Sequence, residues 1–79
     1  MIVYMERHDP EKNMARFYRL AVQPTLFGEW AVISEWGRIG SPGQVREQWY
    51  ASALEAHAAQ AARLERKLRR GYQQCWQVS

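Results

Sequence analysis

Glu35-Trp36-Gly37-Arg38-Ile39-Gly40, with Pro42-Gly43-Gln44 close behind, is the stretch around which the chain is organised. In an extended strand side chains alternate faces, so Trp36 and Arg38 point the same way with only Gly37 between them. A glycine inside a strand marks a bulge or a place where another backbone comes close. A flat apolar plate, a cleared backbone and a forked cation together suit stacking on a ring or sugar and holding a phosphate. The same tripeptide also reads as a core indole, a bulge glycine and a solvated guanidinium.

Working outward, strands flank this stretch on both sides. Residues 29–39 alternate Trp30, Val32, Ser34 and Trp36 against Glu29, Ala31, Ile33 and Glu35. Residues 14–22 place Met14, Arg16, Tyr18, Leu20 and Val22 on one face, and residues 44–50 alternate in the same way. Gln23-Pro24-Thr25-Leu26-Phe27-Gly28 and Gly40-Ser41-Pro42-Gly43 are turn chemistry between them, so the three strands read as an antiparallel meander. Residues 2–7 form a shorter first strand, closed by a turn over residues 8–13. Ser52 and Glu55 have capping-box spacing, Ala-rich sequence runs on to Arg70, and Gly71 is a stop signal. On that helix Leu54, His57, Ala58, Ala61, Leu64 and Leu68 fall on one stripe, expected to be core. Arg63, Arg66, Lys67 and Arg70 fall opposite, expected to face out. Residues 72–78 read as a last strand. The expected fold is α+β: a curved antiparallel sheet of four to five strands packed on one long helix, as a single domain over residues 1–79.

Composition narrows the chemistry. Aromatic residues make up 13% of the 79, with four Trp and four Tyr, which a disordered chain would lack. The lone Cys75 excludes an internal disulfide and a Cys-based zinc site; it is expected to be a buried, inert thiol in a reducing, cytoplasmic setting. No signal peptide is legible at the start, and no run approaches the roughly 20 apolar residues of a membrane span. His8 and His57 lie in no catalytic pattern, and no phosphate loop, triad order, cofactor motif or metal spacing occurs. Nothing reads as an enzyme. Net charge is only +3, but nine of the eleven basic residues are Arg, and Arg63, Arg66, Lys67, Arg69 and Arg70 crowd together with only Glu65 opposing them. That run is either a solvated helix end favouring the dipole or a phosphate-contacting surface.

The ordered series resembles the WGR domain, named for Trp-Gly-Arg. Asn13 followed by Arg16-Phe17-Tyr18-Arg19-Leu20 is similar to that family's early strand. Trp36-Gly37-Arg38-Ile39-Gly40 is similar to its signature, and Gly43-Gln44 to the Gly-Gln that follows. Ser52, Glu55 and Ala56 fit its helix start, and Lys67, Gly71 and Tyr72 its close, so the resemblance covers residues 9–72. WGR domains occur in poly(ADP-ribose) polymerases, where they help detect DNA breaks, and in small bacterial proteins. The resemblance implies that Trp36 packs on a terminal sugar, that Arg38 makes a polar contact, and that Arg46 reaches the nucleic-acid backbone. No ADP-ribosyltransferase region follows, so the expectation is a stand-alone module without the family's signalling role.

These readings converge on a nucleic-acid-binding module, DNA in preference to RNA, recognising ends or breaks. Its expected site is Trp36, Gly37, Arg38, Arg46, Arg63, Arg66, Lys67 and Arg70, without cofactor, metal or membrane. The rival is a protein-interaction or homodimerisation module anchored by Trp30, Leu26, Phe27 or Trp76, since aromatics and Arg also favour protein interfaces.

Overall fold

The computed structural model describes residues 1–78; Ser79, the last residue of the expected domain, lies outside the described residues. Five strands form one antiparallel sheet: β1 (Ile2–Asp9), β2 (Met14–Pro24), β3 (Trp30–Arg38), β4 (Gln44–Tyr50) and β5 (Gln73–Val78). Their spatial order is β4-β3-β2-β1-β5. The first four are a meander. The helix α1 (Ala53–Arg69) then carries the chain across one face, from the β4 edge to the β1 edge, where β5 pairs. β1 runs two residues further than its apolar pattern suggests, because His8 and Asp9 still pair with Ala15 and Met14. A single 3-10 turn, Pro10–Lys12, closes the hairpin through Asn13 in the left-handed region.

The register stacks side chains in rows on the helix-bearing face. Val22 pairs with Val32, Leu20 with Val3 and Ser34, and Tyr18 with Met5 and Trp36. Val3, Met5, Tyr18, Leu20, Val22 and Val32, with Ala56 and Tyr72, are the core, with Trp36 packed half-buried against it. Apart from Tyr72, which follows α1, the large buried volumes come from the sheet. The helix buries small or polar residues at its centre, and of the expected stripe Leu64 packs against the core. Ala56 and Gln60 are buried, whereas Leu54 is 81% exposed and Leu68 43%. The physical reason is close packing: bulky strand side chains leave room for alanine, not leucine, beneath the helix axis. Gln60 is held there because its Nε2 donates to the Met1 and Leu20 carbonyls at 3.2 and 3.3 Å. Arg63 and Lys67 follow Gln60 on that face and turn inward, against the expectation that they face out.

Both helix ends form as their residues dictate. The Ser52 hydroxyl accepts from the Glu55 amide at 3.2 Å. At the other end the Gly71 amide bonds the Leu68 carbonyl and the Tyr72 amide bonds the Lys67 carbonyl, a Schellman closure with Gly71 at φ +95°. Cys75 is exposed rather than buried. β5 is an edge strand, and Trp76 and Gln74 face consecutive residues Tyr4 and Met5, so Cys75 is the extra residue of a bulge.

Gly37 owes its identity to crowding. A Cβ there would sit 2.7 Å from the Gly43 Cα, and a Cβ on Gly43 (φ +75°) would sit 2.5 Å from the Trp36 carbonyl oxygen. The β3–β4 turn therefore folds flat against β3 glycine to glycine. Gly37→Ala forces two backbones apart and is expected to cost about 1–3 kcal/mol in urea unfolding. An unchanged midpoint would refute the contact.

Candidate nucleic-acid interface

At one end of the helix-bearing face the apolar rows give way to cations. Beyond the Tyr18–Trp36 pair lies a row of three arginines, Arg7, Arg16 and Arg38, on three adjacent strands. Arg46 faces the same way, paired with Ser34. From above, α1 lowers its last turns onto this end. The Arg63 guanidinium donates to the buried Ser34 hydroxyl at 2.8 Å, and the Lys67 ammonium lies 4.4 Å from the centre of the Tyr18 ring. Arg66 and Arg70 extend outward beside it. Sheet and helix thus contribute to one surface.

Two recesses open there. The larger, about 640 Å³, lies between the β1–β2 and β3–β4 turns, lined by Lys12, Arg16, Trp36, Gly37, Arg38 and Gln44 among others. The smaller, about 360 Å³, is lined by Tyr18, Arg46, Arg63, Arg66, Lys67 and Arg70. Tyr18 and Trp36 separate them, stacked with centroids 5.8 Å apart and planes 15° apart. Trp36 is half-buried: it packs on Tyr18 and lines the larger recess. The choice between core indole and stacking plate is therefore no choice, because the side chain does the first while leaving surface for the second.

Charge pairing separates this end from the rest of the molecule. Among the described residues, the ion pairs are Glu6–His8, Arg19–Glu35 and Glu65–Arg69. Of the eleven Lys and Arg, Arg19 and Arg69 have carboxylate partners, and they lie outside the cluster. The other nine gather at this end with no carboxylate partner among the described residues, although Asp9 and Glu11 stand in the nearby turn. Burial first, then the Arg70, Arg66, Arg16 and Arg63 charges, hold the Lys67 pKa below the usual lysine range. The opposite face has different electrostatics. There burial and then the hydrogen bond to Glu6 push the Tyr4 phenol up to about 12. Hydrogen bonds from His8 and then Tyr4 lower Glu6.

All eight expected site residues reach this end: six as cations, Trp36 as the plate, Gly37 as the point where the turn folds flat. Sequence reading missed Arg7, Lys12, Arg16, Tyr18 and Gln44. Arg16 was legible as in phase with Tyr18, but its neighbour Arg38 is set by cross-strand register, which no single strand encodes. Of the rival anchors, Trp30 is half-buried against the core, while Leu26, Phe27 and Trp76 are exposed.

A sequence model of the WGR domain matches residues 1–77. The chain belongs to the WGR domain family. An uncharacterized protein of Sinorhizobium fredii, y4dW, is 39% identical over 70 residues, covering 89% of this chain and 34% of the relative. The chain thus spans about a third of that relative's length. No solved structure matches it significantly. In this WGR domain the signature residues have separable duties: Trp36 walls a recess, Gly37 admits the turn, and Arg38 extends the arginine row.

The depressed Lys67 pKa has a testable sign. A bound anion favours the charged ammonium and raises its pKa, so affinity is full below the free-state pKa and falls as pH rises through it. Oligonucleotide affinity is therefore expected to decline at a lower pH than an ordinary lysine dictates. Lys67→Arg, charged throughout, should remove that limb of an anisotropy pH profile; identical profiles would contradict the assignment.

Proposed function

We propose that this WGR domain is a non-enzymatic nucleic-acid-binding module that recognises DNA ends or breaks. The observation that supports it is the gathering of nine cations without carboxylate partners around one aromatic pair on one surface. Uncompensated like charges repel each other, and a polyanion relieves that repulsion while releasing its counterions. A strand terminus lacks one stacking neighbour. In this reading Trp36 takes that neighbour's place on the terminal sugar or base, and Arg38 and Arg46 hold the flanking phosphates. Arg63, Arg66, Lys67 and Arg70 contact the backbone as it passes under the helix end. Gly37 contributes from the other face, by letting Gly43 and the β3–β4 turn close against β3 beside the plate. Break detection by WGR domains of poly(ADP-ribose) polymerases, which the family resemblance implies, supports DNA over RNA.

Fluorescence anisotropy at several salt concentrations tests the reading, comparing blunt, phosphorylated and nicked duplexes with a closed hairpin. Free ends are expected to win, with affinity falling steeply as salt rises. Trp36→Ala should cost about tenfold or more in end binding, within the range of aromatic–base stacking, while keeping a native circular-dichroism spectrum. Exposed Arg38→Ala should weaken all duplexes and lower the salt slope by about 1. An end preference that survives Trp36→Ala, or a hairpin bound as tightly as an open end, would overturn it.

A further inference from the structure

The end of the domain away from the cations carries a second, separately built groove. Its floor is the row Gln23–Ala31–Trp49 on the face opposite the helix. Residues 24–27 curl over that row, lining with Trp49 and Glu47 a space of about 400 Å³. The loop is held in shape: the Thr25 amide bonds the Glu29 carbonyl at 2.8 Å, and the Phe27 amide bonds the Thr25 hydroxyl at 3.2 Å. The Phe27 and Trp49 rings stand 6.3 Å apart, and the Trp49 indole donates to the Glu47 carboxylate, which fixes the acid beside the groove. Yet these apolar groups face solvent, with Leu26 97%, Phe27 76% and Trp49 48% exposed. Ordered aromatic walls left uncovered mark a contact surface.

Charge names the occupant. No Lys or Arg occurs in residues 20–37 or 47–62, the segments that build this end. Glu47 therefore stands in the groove wall without a cation, while Glu35 one row away is already paired with Arg19. An anionic membrane or nucleic acid is repelled here. A two-fold contact between copies presents this same patch, built from segments without Lys or Arg, so Glu47 would gain no cation from it. A third feature gives the mode of binding. β4 is the last strand of the sheet, so among the described residues its outer edge is unpaired, and Glu47 and Trp49 point to the groove face two residues apart. A strand added along that edge presents alternate residues to the same face.

We infer that the groove docks an extended, basic segment of a partner protein along the free edge of β4. An apolar side chain enters between Phe27 and Trp49, and a Lys or Arg two positions away meets Glu47. This surface is separate from the cationic end, so the domain joins a protein at one site to its anionic ligand at the other.

Selection of a displayed library of random short peptides on the intact chain tests this. Enriched peptides are expected to carry an apolar residue spaced two positions from Lys or Arg. They should bind Phe27→Ser and Glu47→Lys chains about tenfold more weakly and Arg38→Ala unchanged. Exchanging the peptide's Lys or Arg for Glu should restore binding to Glu47→Lys, which a merely structural role for Glu47 could not produce. The inference is overturned if no enriched peptide depends on Phe27, if the charge exchange fails to rescue, or if the chain sediments as a dimer that Phe27→Ser dissociates.

Discussion

The rotation of α1 about its own axis is the constraint on which the rest of the structure depends, and Ala56 and Gln60 set it. Ala56 lets the helix sink onto strands already filled by Val3, Met5, Leu20 and Val32. One turn later the Gln60 amide donates to two main-chain carbonyls, of Leu20 in β2 and of Met1 just before β1. Each such bond is worth about 1 kcal/mol net, but leaving a buried amide unpaired would cost more. The pair is therefore stronger as a specification than as a source of stability: other rotations strand the amide or wedge a leucine under the axis. With that rotation fixed, the inward positions of the next two turns fall to Arg63 and Lys67.

This placement changes what the cationic helix end is. Facing out, five basic residues over the last two turns and the C-cap are a solvated complement to the helix dipole. Turned in, two of them are anchored by the sheet, Arg63 on Ser34 and Lys67 over Tyr18, a cation–π contact worth about 0.5–2 kcal/mol. The sheet meets them with its own arginine row. Favourable local contacts thus offset the repulsion of gathering like charges. The glycine pair Gly37–Gly43 completes the arrangement by bringing Gln44 and the β3–β4 turn against Trp36.

Much of this was legible because it rests on local chemistry. Two-residue periodicity, Pro and Gly turns, the Ser52 cap and the Gly71 stop each act over a few residues, so the strands, the helix and its ends could be read directly. The helix face could not, because hydropathy ranks Leu54 and Leu68 above Ala56 and Gln60, whereas burial is decided by the volume the sheet leaves. The Cys75 bulge and the Arg7–Arg16–Arg38 row were hidden for a related reason: both are properties of register between strands distant in sequence. Gly37 was read as either a bulge or a place of close approach; the approach of Gly43 decides for the second, and that partner required the turn's geometry. The groove at Phe27 and Trp49 was visible only as exposed-looking loop residues, since its walls come from a loop and an edge strand that the sequence does not pair.

The proposed anion-binding surface unites α1 with the Trp36 end of the sheet. A heteronuclear NMR titration of the intact chain with a short open-ended duplex tests it most directly. Resonances of the Trp36 indole, Arg16, Arg38 and Arg46 are expected to shift together with Arg63 through Arg70, at a single saturation point, while Phe27, Ala31 and Trp49 stay still. Shifts confined to the outer side of α1, or sheet and helix residues saturating at different duplex concentrations, would contradict it.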